Sequence, residues 1–135
     1  MKKVTAALIE KNGKFLIAKR KKGGHSEGRW ELPGGKLEPG ETPEQCLARE
    51  LKEEFDIETE VKGLLCSTEF AYHDIAIELL VYKVNHIAGD FKLIDHDEIR
   101  WVSPEEFDKY HFAEADRIVL DKFIKGSCGT REAIN

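Results

Sequence analysis

Residues 35–57, GKLEPGETPEQCLARELKEEFDI, carry the strongest structural and chemical signals in this chain. They begin at the end of a Pro-Gly-Gly turn and lead into a segment crowded with carboxylates. Thr42 is a natural N-cap, Pro43 suits the first helical position, and Gln45 completes a Thr-x-x-Gln capping box. The sequence therefore predicts a helix over residues 43–55.

Helical periodicity gathers three carboxylates, Glu50, Glu53 and Glu54, on one side of this helix. At about 100° per residue, the second and third fall within about 60° of the first. An apolar stripe for packing lies beside them, formed by Leu47, Ala48, Leu51 and Phe55. A divalent cation would turn the repulsion among the acids into attraction, and hard oxygen ligands favour Mg²⁺ or Mn²⁺. A solvated acidic helix face is the simpler interpretation of the acids alone.

The wider spacing favours the metal site over the solvated face. Gly35, Glu41 and the run RELKEE at residues 49–54 are separated by five and seven residues. This arrangement resembles the Nudix box, G-x5-E-x7-R-E-U-x-E-E-x-G-U, where U is a bulky aliphatic residue. Asp56 stands where the box has its last glycine, and Ile57 follows as the box requires. Aspartate can adopt the left-handed conformation of a helix C-cap at some cost.

The resemblance implies an α/β fold, namely a Nudix-type α/β/α sandwich with a central mixed sheet. The pattern of the chain agrees, because predicted strands flank the acidic helix on both sides. These strands cover residues 4–10, 14–19, 30–32, 57–70 and 74–84. A second capping box at Ser103 opens a short helix, and a final amphipathic helix is expected at about residues 113–125. We expect one domain over residues 1–125 and a flexible tail over residues 126–135.

Composition favours a cytoplasmic protein that acts on a small molecule. The net charge of −5 argues against binding polymeric nucleic acid but allows one nucleotide beside a metal ion. No apolar run approaches the length of a membrane span. The three cysteines are widely spaced, which favours reduced thiols and argues against a zinc site. His73, His86 and His96 lack zinc-binding spacing and are expected at the surface or with satisfied hydrogen bonds. A monomer and a homodimer both remain open.

The resemblance assigns roles to the acids of the box and to one acid beyond it. The predicted metal ligands, all oxygen donors, are the Gly34 carbonyl, Glu50, Glu53, Glu54 and Glu98. The predicted catalytic residues are Arg49, Glu50, Glu53 and Glu98. Glu50 is either a metal ligand or the general base, while Arg49 and Glu41 orient the acids and Gly35 is structural. Glu98 is included because many Nudix proteins carry a similar acid before a tryptophan; a strand-edge carboxylate is the alternative.

The predicted substrate-binding residues lie outside the box and are Arg20, Arg29, Leu32 and Asp116. The two arginines flank a basic loop, and guanidinium groups match phosphate bidentately. A solvated basic loop is the alternative. Asp116 lies near the start of the last helix, where the MutT branch of the family often contacts the base. An ionised aspartate accepts hydrogen bonds but cannot donate, which favours the amino group of cytosine over a purine carbonyl. An ordinary exposed acid is the alternative for Asp116.

These features imply metal-dependent hydrolysis of an ordinary or modified nucleoside triphosphate to monophosphate and pyrophosphate. A mild preference for cytidine-type or oxidised nucleotides is expected. A Nudix hydrolase of ADP-ribose or another nucleoside diphosphate derivative is the first alternative. A non-catalytic nucleotide-binding module is the second, although such modules are expected to lose the box acids that this chain retains. An acidic interaction domain would leave the glycine turn and the Arg-Glu pair unexplained.

Overall fold

The computed structural model describes residues 1–23 and 27–126 of the 135-residue chain. Its elements in chain order are β1 (Lys2–Lys11), β2 (Lys14–Arg20), β3 (Trp30–Glu31), β4 (Gly34–Lys36), α1 (Pro43–Phe55), β5 (Glu58–Tyr72), β6 (Ile75–Ala88), β7 (His96–Val102), a 3₁₀ helix (Pro104–Lys109) and α2 (Glu114–Ile124). The predicted strands and helices are confirmed, with most ends shifted by one to four residues.

The strands form a mixed seven-stranded sheet within the described residues. The order along its main path is β3-β2-β1-β6-β5, with β4 paired to β1 and β7 paired to β2. β1 and β6 are parallel, so that Lys2 lies opposite Ile77 and Ile9 lies opposite Val84. The other pairs are antiparallel. The predicted central mixed sheet is confirmed.

The central strands bury side chains on both faces, as their continuous apolar sequence predicts. In β1, Ala6 and Leu8 belong to one hydrophobic core, and Ala7 and Ile9 belong to the other. α2 covers the first core and α1 covers the second. Since each large apolar side chain contributes about 1.5–3 kcal/mol when buried, these two cores hold the helices against the sheet. The α/β/α sandwich is confirmed.

The predicted caps of α1 are present at both ends. Thr42 Oγ1 accepts the Gln45 N–H at 3.1 Å, and the Gln45 side chain accepts the Thr42 N–H at 3.0 Å. Asp56 takes the left-handed C-cap conformation, with φ 57° and ψ 43°. Hydrogen bonds from Lys92 and Lys52 lower the pKa of Asp56 and neutralise its charge beside the helix C-terminus. The replacement of the usual glycine therefore preserves the helix exit.

A bulge in the pairing of β2 with β7 determines on which face of the sheet the side chains at the start of β7 lie. Lys19 lies opposite Glu98, whereas Arg20 lies opposite His96, so one extra residue is inserted in β7. His96 consequently lies on the α1 side, stacked on an α1 aromatic ring at 5.3 Å. Ile99 packs in the α1-side core, and its neighbour Glu98 therefore lies on the α2 side.

Other expectations about composition have mixed outcomes. Cys46 is a free, buried thiol. Within the described residues, no helix has the length and apolarity needed to cross a membrane. Residues 127–135, with Cys128 and nearly all of the expected tail, lie outside the described residues. The single domain over residues 1–125 stays a prediction.

Candidate active site

The three acids on α1 have different surroundings, although they share one arc of the helix. Glu54 is buried, with 7% of its surface exposed. Glu50 is half-buried, and Glu53 is exposed. The packing of Leu51 and Phe55 in the core turns the Glu54 side of the helix toward the sheet. The desolvated part of the predicted metal site is therefore the pair formed by Glu50 and Glu54.

Two glycines let the β4 turn approach β1 and α1 closely. A Cβ atom on Gly35 would overlap the Glu50 carboxylate, at 2.7 Å from its Oε1. A Cβ atom on Gly34 would collide with the backbone of Thr5. The Gly35 carbonyl also accepts hydrogen bonds from Thr5 Oγ1 at 3.1 Å and from Cys46 Sγ at 3.6 Å. Gly35 thus fixes the place of the Glu50 carboxylate, and Gly34 has a packing role in addition to its predicted role as a carbonyl ligand.

Arg49 joins the acids around the start and middle of α1. Its Nε and Nη2 donate to the two carboxylate oxygens of Glu41, at 2.6 and 3.0 Å. Its Nη1 donates to Glu50 at 3.1 Å and to Glu53 at 3.2 Å. The bonds from Arg49, followed by the Glu38 N–H, lower the pKa of Glu41 to about 2. Glu41 is therefore an anion that holds the Arg49 guanidinium, and the guanidinium in turn holds the carboxylates of Glu50 and Glu53.

Glu54 lies in an environment that disfavours its charge. Burial and the negative charges of Glu31, Glu50 and Asp95 raise the pKa of Glu54. Burial also raises the pKa of Glu50, which shares a hydrogen bond with Glu54. In the described part of the chain, Glu54 Oε1 has no hydrogen-bond partner, which is uncommon for a buried polar atom. Two desolvated carboxylates with an open oxygen are a donor set that suits a hard divalent cation.

The larger set of predicted metal ligands does not converge on one point. Among the residues that the structure describes, no three His, Cys, Asp or Glu side chains are arranged to hold a metal ion. Glu53 contacts the guanidinium described above, and Glu98 pairs with Arg100 at 2.5 Å on the α2 side of the sheet. Mg²⁺ is commonly bound through one or two carboxylates together with substrate phosphates. The pair of Glu50 and Glu54 fits that mode.

Glu31 connects the end of β2 to the α1 side of the sheet. Its Oε1 accepts the Arg20 Nε–H at 2.7 Å, and its Oε2 lies 2.8 Å from His96 Nε2. Burial by itself would raise the pKa of Glu31, but the bonds and charges of His96 and Arg20 outweigh burial and lower it. Glu31 is therefore an anion between two donors. Its charge contributes to the raised pKa values of both Glu54 and Asp116.

Asp116 is buried in the first turn of α2, with 7% of its surface exposed, and is not an ordinary exposed acid. Its Oδ1 accepts the Leu32 N–H at 3.1 Å. Burial, followed by the charge of Glu31, raises the pKa of Asp116 to about 7. The ionised form, on which the expected preference for cytosine depends, is therefore not the only form near neutral pH. Near neutral pH the carboxyl group takes both forms, and the neutral form can donate a hydrogen bond.

The two predicted phosphate-binding arginines are neighbours. The Arg20 N–H donates to the Arg29 carbonyl at 2.8 Å, and both residues are half-buried. Residues 24–26, at the centre of the predicted basic loop, lie outside the described residues. The structure thus brings Arg20 and Arg29 together beside Glu31.

The sequence motifs did not indicate a function for Glu31, Asp95 or His96. A signal for Glu31 existed, because it is a charged residue in a short apolar strand directly before the Pro-Gly-Gly turn. The His96 Nε2 is paired as expected, but its buried Nδ1 has no hydrogen-bond partner within the described residues. Asp95 is one of three acids in residues 95–98, and no local pattern distinguishes the acid whose charge acts on Glu54.

Comparison with known protein families matches a NUDIX domain to residues 4–122. The chain is 38% identical over 124 residues to the CTP pyrophosphohydrolase of Escherichia coli K12, and the match covers 92% of each chain. It is 31% identical over 125 residues to the 8-oxo-dGTP diphosphatase of the same strain, covering 90% of this chain and 97% of that relative.

Solved structures give the same result for the fold. The solution structure of the E. coli ORF135 protein superposes with a TM-score of 0.83 at 36% identity, covering 99% of this chain and 93% of that chain. The MutT protein from Methanosarcina mazei Go1 superposes with a TM-score of 0.81 at 28% identity, covering 93% and 94%. Box, fold and relatives agree, and the chain belongs to the Nudix family and is a Nudix hydrolase.

Proposed function

We propose that this Nudix hydrolase converts a nucleoside triphosphate to the monophosphate and pyrophosphate with the help of Mg²⁺ or Mn²⁺. Cytidine-type or oxidised nucleotides are the preferred substrates in this proposal. The observation that carries it is the desolvated pair of Glu50 and Glu54, of which Glu50 lies against Gly35 at the turn. The names of two relatives, a CTP pyrophosphohydrolase and an 8-oxo-dGTP diphosphatase, support the substrate class.

The chemistry of the site divides between a cation and the protein. A bound divalent cation supplies charge neutralisation on the phosphates and lowers the pKa of an attacking water. Glu50 and Glu54 present oxygen ligands from one side of α1. Arg49, fixed by Glu41, keeps Glu50 and Glu53 in place. Either Glu50 or Glu53 takes the proton from the water as general base.

The phosphate chain and the base are bound by different residues. Arg20 uses its Nε–H on Glu31, and within the described residues its side chain forms no other hydrogen bond. Its terminal NH₂ groups are therefore available for phosphate oxygens, beside Arg29. At the base, an ionised Asp116 accepts from the amino group of cytosine, whereas a neutral Asp116 donates to a carbonyl of an oxidised purine. The raised pKa of Asp116 is compatible with both classes of nucleotide.

The test is hydrolysis of a substrate panel with Mg²⁺, in which pyrophosphate is resolved from phosphate. The panel contains the eight ordinary nucleoside triphosphates, 8-oxo-dGTP, 5-methyl-dCTP and ADP-ribose. We expect pyrophosphate from one or a few triphosphates. Glu54→Gln should lower kcat at least about 100-fold, which is the usual effect of removing a main electrostatic group from an active site. Glu44→Gln is the matched control, since Glu44 is an exposed acid on the same helix.

The remaining outcomes point to the alternatives. Turnover of ADP-ribose alone would move the protein to another branch of the family and refute the triphosphate assignment. Nucleotide binding without any turnover would indicate a non-catalytic binding module. Equal activities of Glu54→Gln and Glu44→Gln would contradict the role given to the buried carboxylate pair.

A further inference from the structure

We infer that Glu31 is a positioning residue that fixes the Arg20 guanidinium for a polyphosphate chain and ties it to α1, an inference that rests on the proposed function. The Glu31 side chain is 18% exposed and that of Arg20 is 29% exposed. Their contact, Nε to Oε1 at 2.7 Å, is a short charge-assisted hydrogen bond. It uses the inner edge of the guanidinium and leaves the terminal NH₂ groups for a ligand.

Glu31 is itself held from the side of α1. His96 is 5% exposed and stacks on Phe55 with the ring planes 8° apart. A carboxylate can only accept hydrogen bonds, so His96 donates from Nε2 to Glu31 Oε2 across 2.8 Å. Contacts therefore run from Phe55 through His96 and Glu31 to Arg20. The arginine is supported by the same helix that carries the acids of the metal site.

The energetics favour a functional origin for this network. Removing a carboxylate and a guanidinium from water is costly, and apolar residues of similar size often stabilise a protein at least as well as a buried ion pair. β3 contains two residues, Trp30–Glu31, and Trp30 is buried in the α2-side core. An apolar residue in place of Glu31 would have served packing on the α1 side. The charge at Glu31 is explained by the arginine that it orients.

The test measures binding of inorganic tripolyphosphate in the presence of Mg²⁺ by isothermal titration calorimetry. Arg20→Ala, Glu31→Ala and the double variant form a thermodynamic cycle. We expect each single variant to weaken binding about tenfold, which is the value of one charge-assisted hydrogen bond. The double variant should bind tripolyphosphate no more weakly than Arg20→Ala does. Glu60→Ala is the matched control, because Glu60 is an exposed strand carboxylate with a lysine partner.

Any of three results in this binding experiment would overturn the inference. Independent effects would make the double variant about 100-fold weaker than the wild type, so Glu31 would not act through Arg20. Unchanged affinity in Glu31→Ala, or no tripolyphosphate binding by the wild type, would also refute it.

A second variant separates positioning from folding. Glu31→Gln keeps the shape of the side chain but offers one oxygen to two donors. We expect it to shift the Arg20 Nε–H resonance in the ¹H–¹⁵N NMR spectrum and to raise KM for a triphosphate substrate about tenfold, while kcat changes less than about threefold. An unshifted resonance would refute the inference. If no triphosphate is turned over but the binding cycle is coupled as expected, the proposed function fails and the role of Glu31 stands.

Discussion

Gly35→Ala tests whether the β4 turn sets the place of the Glu50 carboxylate. The added Cβ atom would lie 2.7 Å from Glu50 Oε1 and closer still to two other atoms of the carboxylate. Ordinary contact between such atoms needs about 3.5 Å, so the carboxylate has to move by roughly 1 Å. The clash is with the end of a flexible side chain, and the backbone of the turn can remain in place.

The expected result is a large loss of activity with a small loss of stability. A misplacement of about 1 Å in a catalytic arrangement costs about 100-fold in rate. Forcing Glu50 off its rotamer costs about 1 kcal/mol, which lowers the Tm of a chain of this size by about 4 °C. The assays are kcat on the best substrate of the panel and thermal melting followed by circular dichroism.

Two glycine variants serve as controls. Gly63→Ala should leave both kcat and Tm unchanged, because no atom lies within 4 Å of the added Cβ. Gly34→Ala should lower Tm much more than Gly35→Ala, because its Cβ meets the rigid backbone of β1. A Gly35→Ala enzyme with wild-type kcat would refute the reasoning, as would a loss of stability equal to that of Gly34→Ala.

Three further predictions use other parts of the molecule. Burial raises the pKa of Asp116 from 3.8 to about 7, so the folded chain binds this proton more tightly than the unfolded chain does. The resulting stability is fully present below pH 3.8 and is lost as the pH rises through 7. Asp116→Asn should therefore show a smaller fall of Tm over this window than the wild type, and equal slopes would contradict the assigned cause. Asp56→Gly should change Tm by less than about 4 °C. The substitution relieves about 1 kcal/mol of left-handed backbone strain, but it also removes the ion pairs of Asp56 with Lys52 and Lys92. A larger shift of Tm in calorimetry would contradict this balance. Asp95→Asn should lower kcat/KM at least about tenfold more than Glu98→Gln does. The reason is that the charge of Asp95 acts on Glu54, whereas Glu98 is paired with Arg100 on the α2 side of the sheet. The reverse order in steady-state kinetics would restore Glu98 as the functional acid.

The features that the sequence predicted well depend on local rules. The capping box fixes the start of α1, and the left-handed Asp56 fixes its end, so both boundaries follow from nearby residues. The apolar run of β1 predicts a strand covered on both faces, and β1 contributes side chains to both cores. Such features need no knowledge of which distant elements meet.

Burial of the acids depends on long-range packing and was not predictable in the same way. Glu50 and Glu54 share an arc on the helical wheel with Glu53, but the depth of each is set by the sheet beneath α1. Asp116 has the sequence environment of a solvated first-turn acid, yet it is buried where Leu32 leaves β3. The pKa of each group follows from this packing, and with it the range of hydrogen bonds that the group can form.

The acids near the start of β7 show most clearly how a tertiary contact changes a functional assignment. A strand period of two would put His96 and Glu98 on one face of the sheet. Glu98 was predicted as an acid of the site because many Nudix proteins carry a similar acid before a tryptophan. The register shift between Lys19 and Arg20 breaks this alternation, and no glycine or proline in β7 signals it. Glu98 is turned to the α2 side, and His96 is turned to α1. Position across the sheet therefore places the negative charge of Asp95 where it acts on Glu54, although position along the chain selects Glu98.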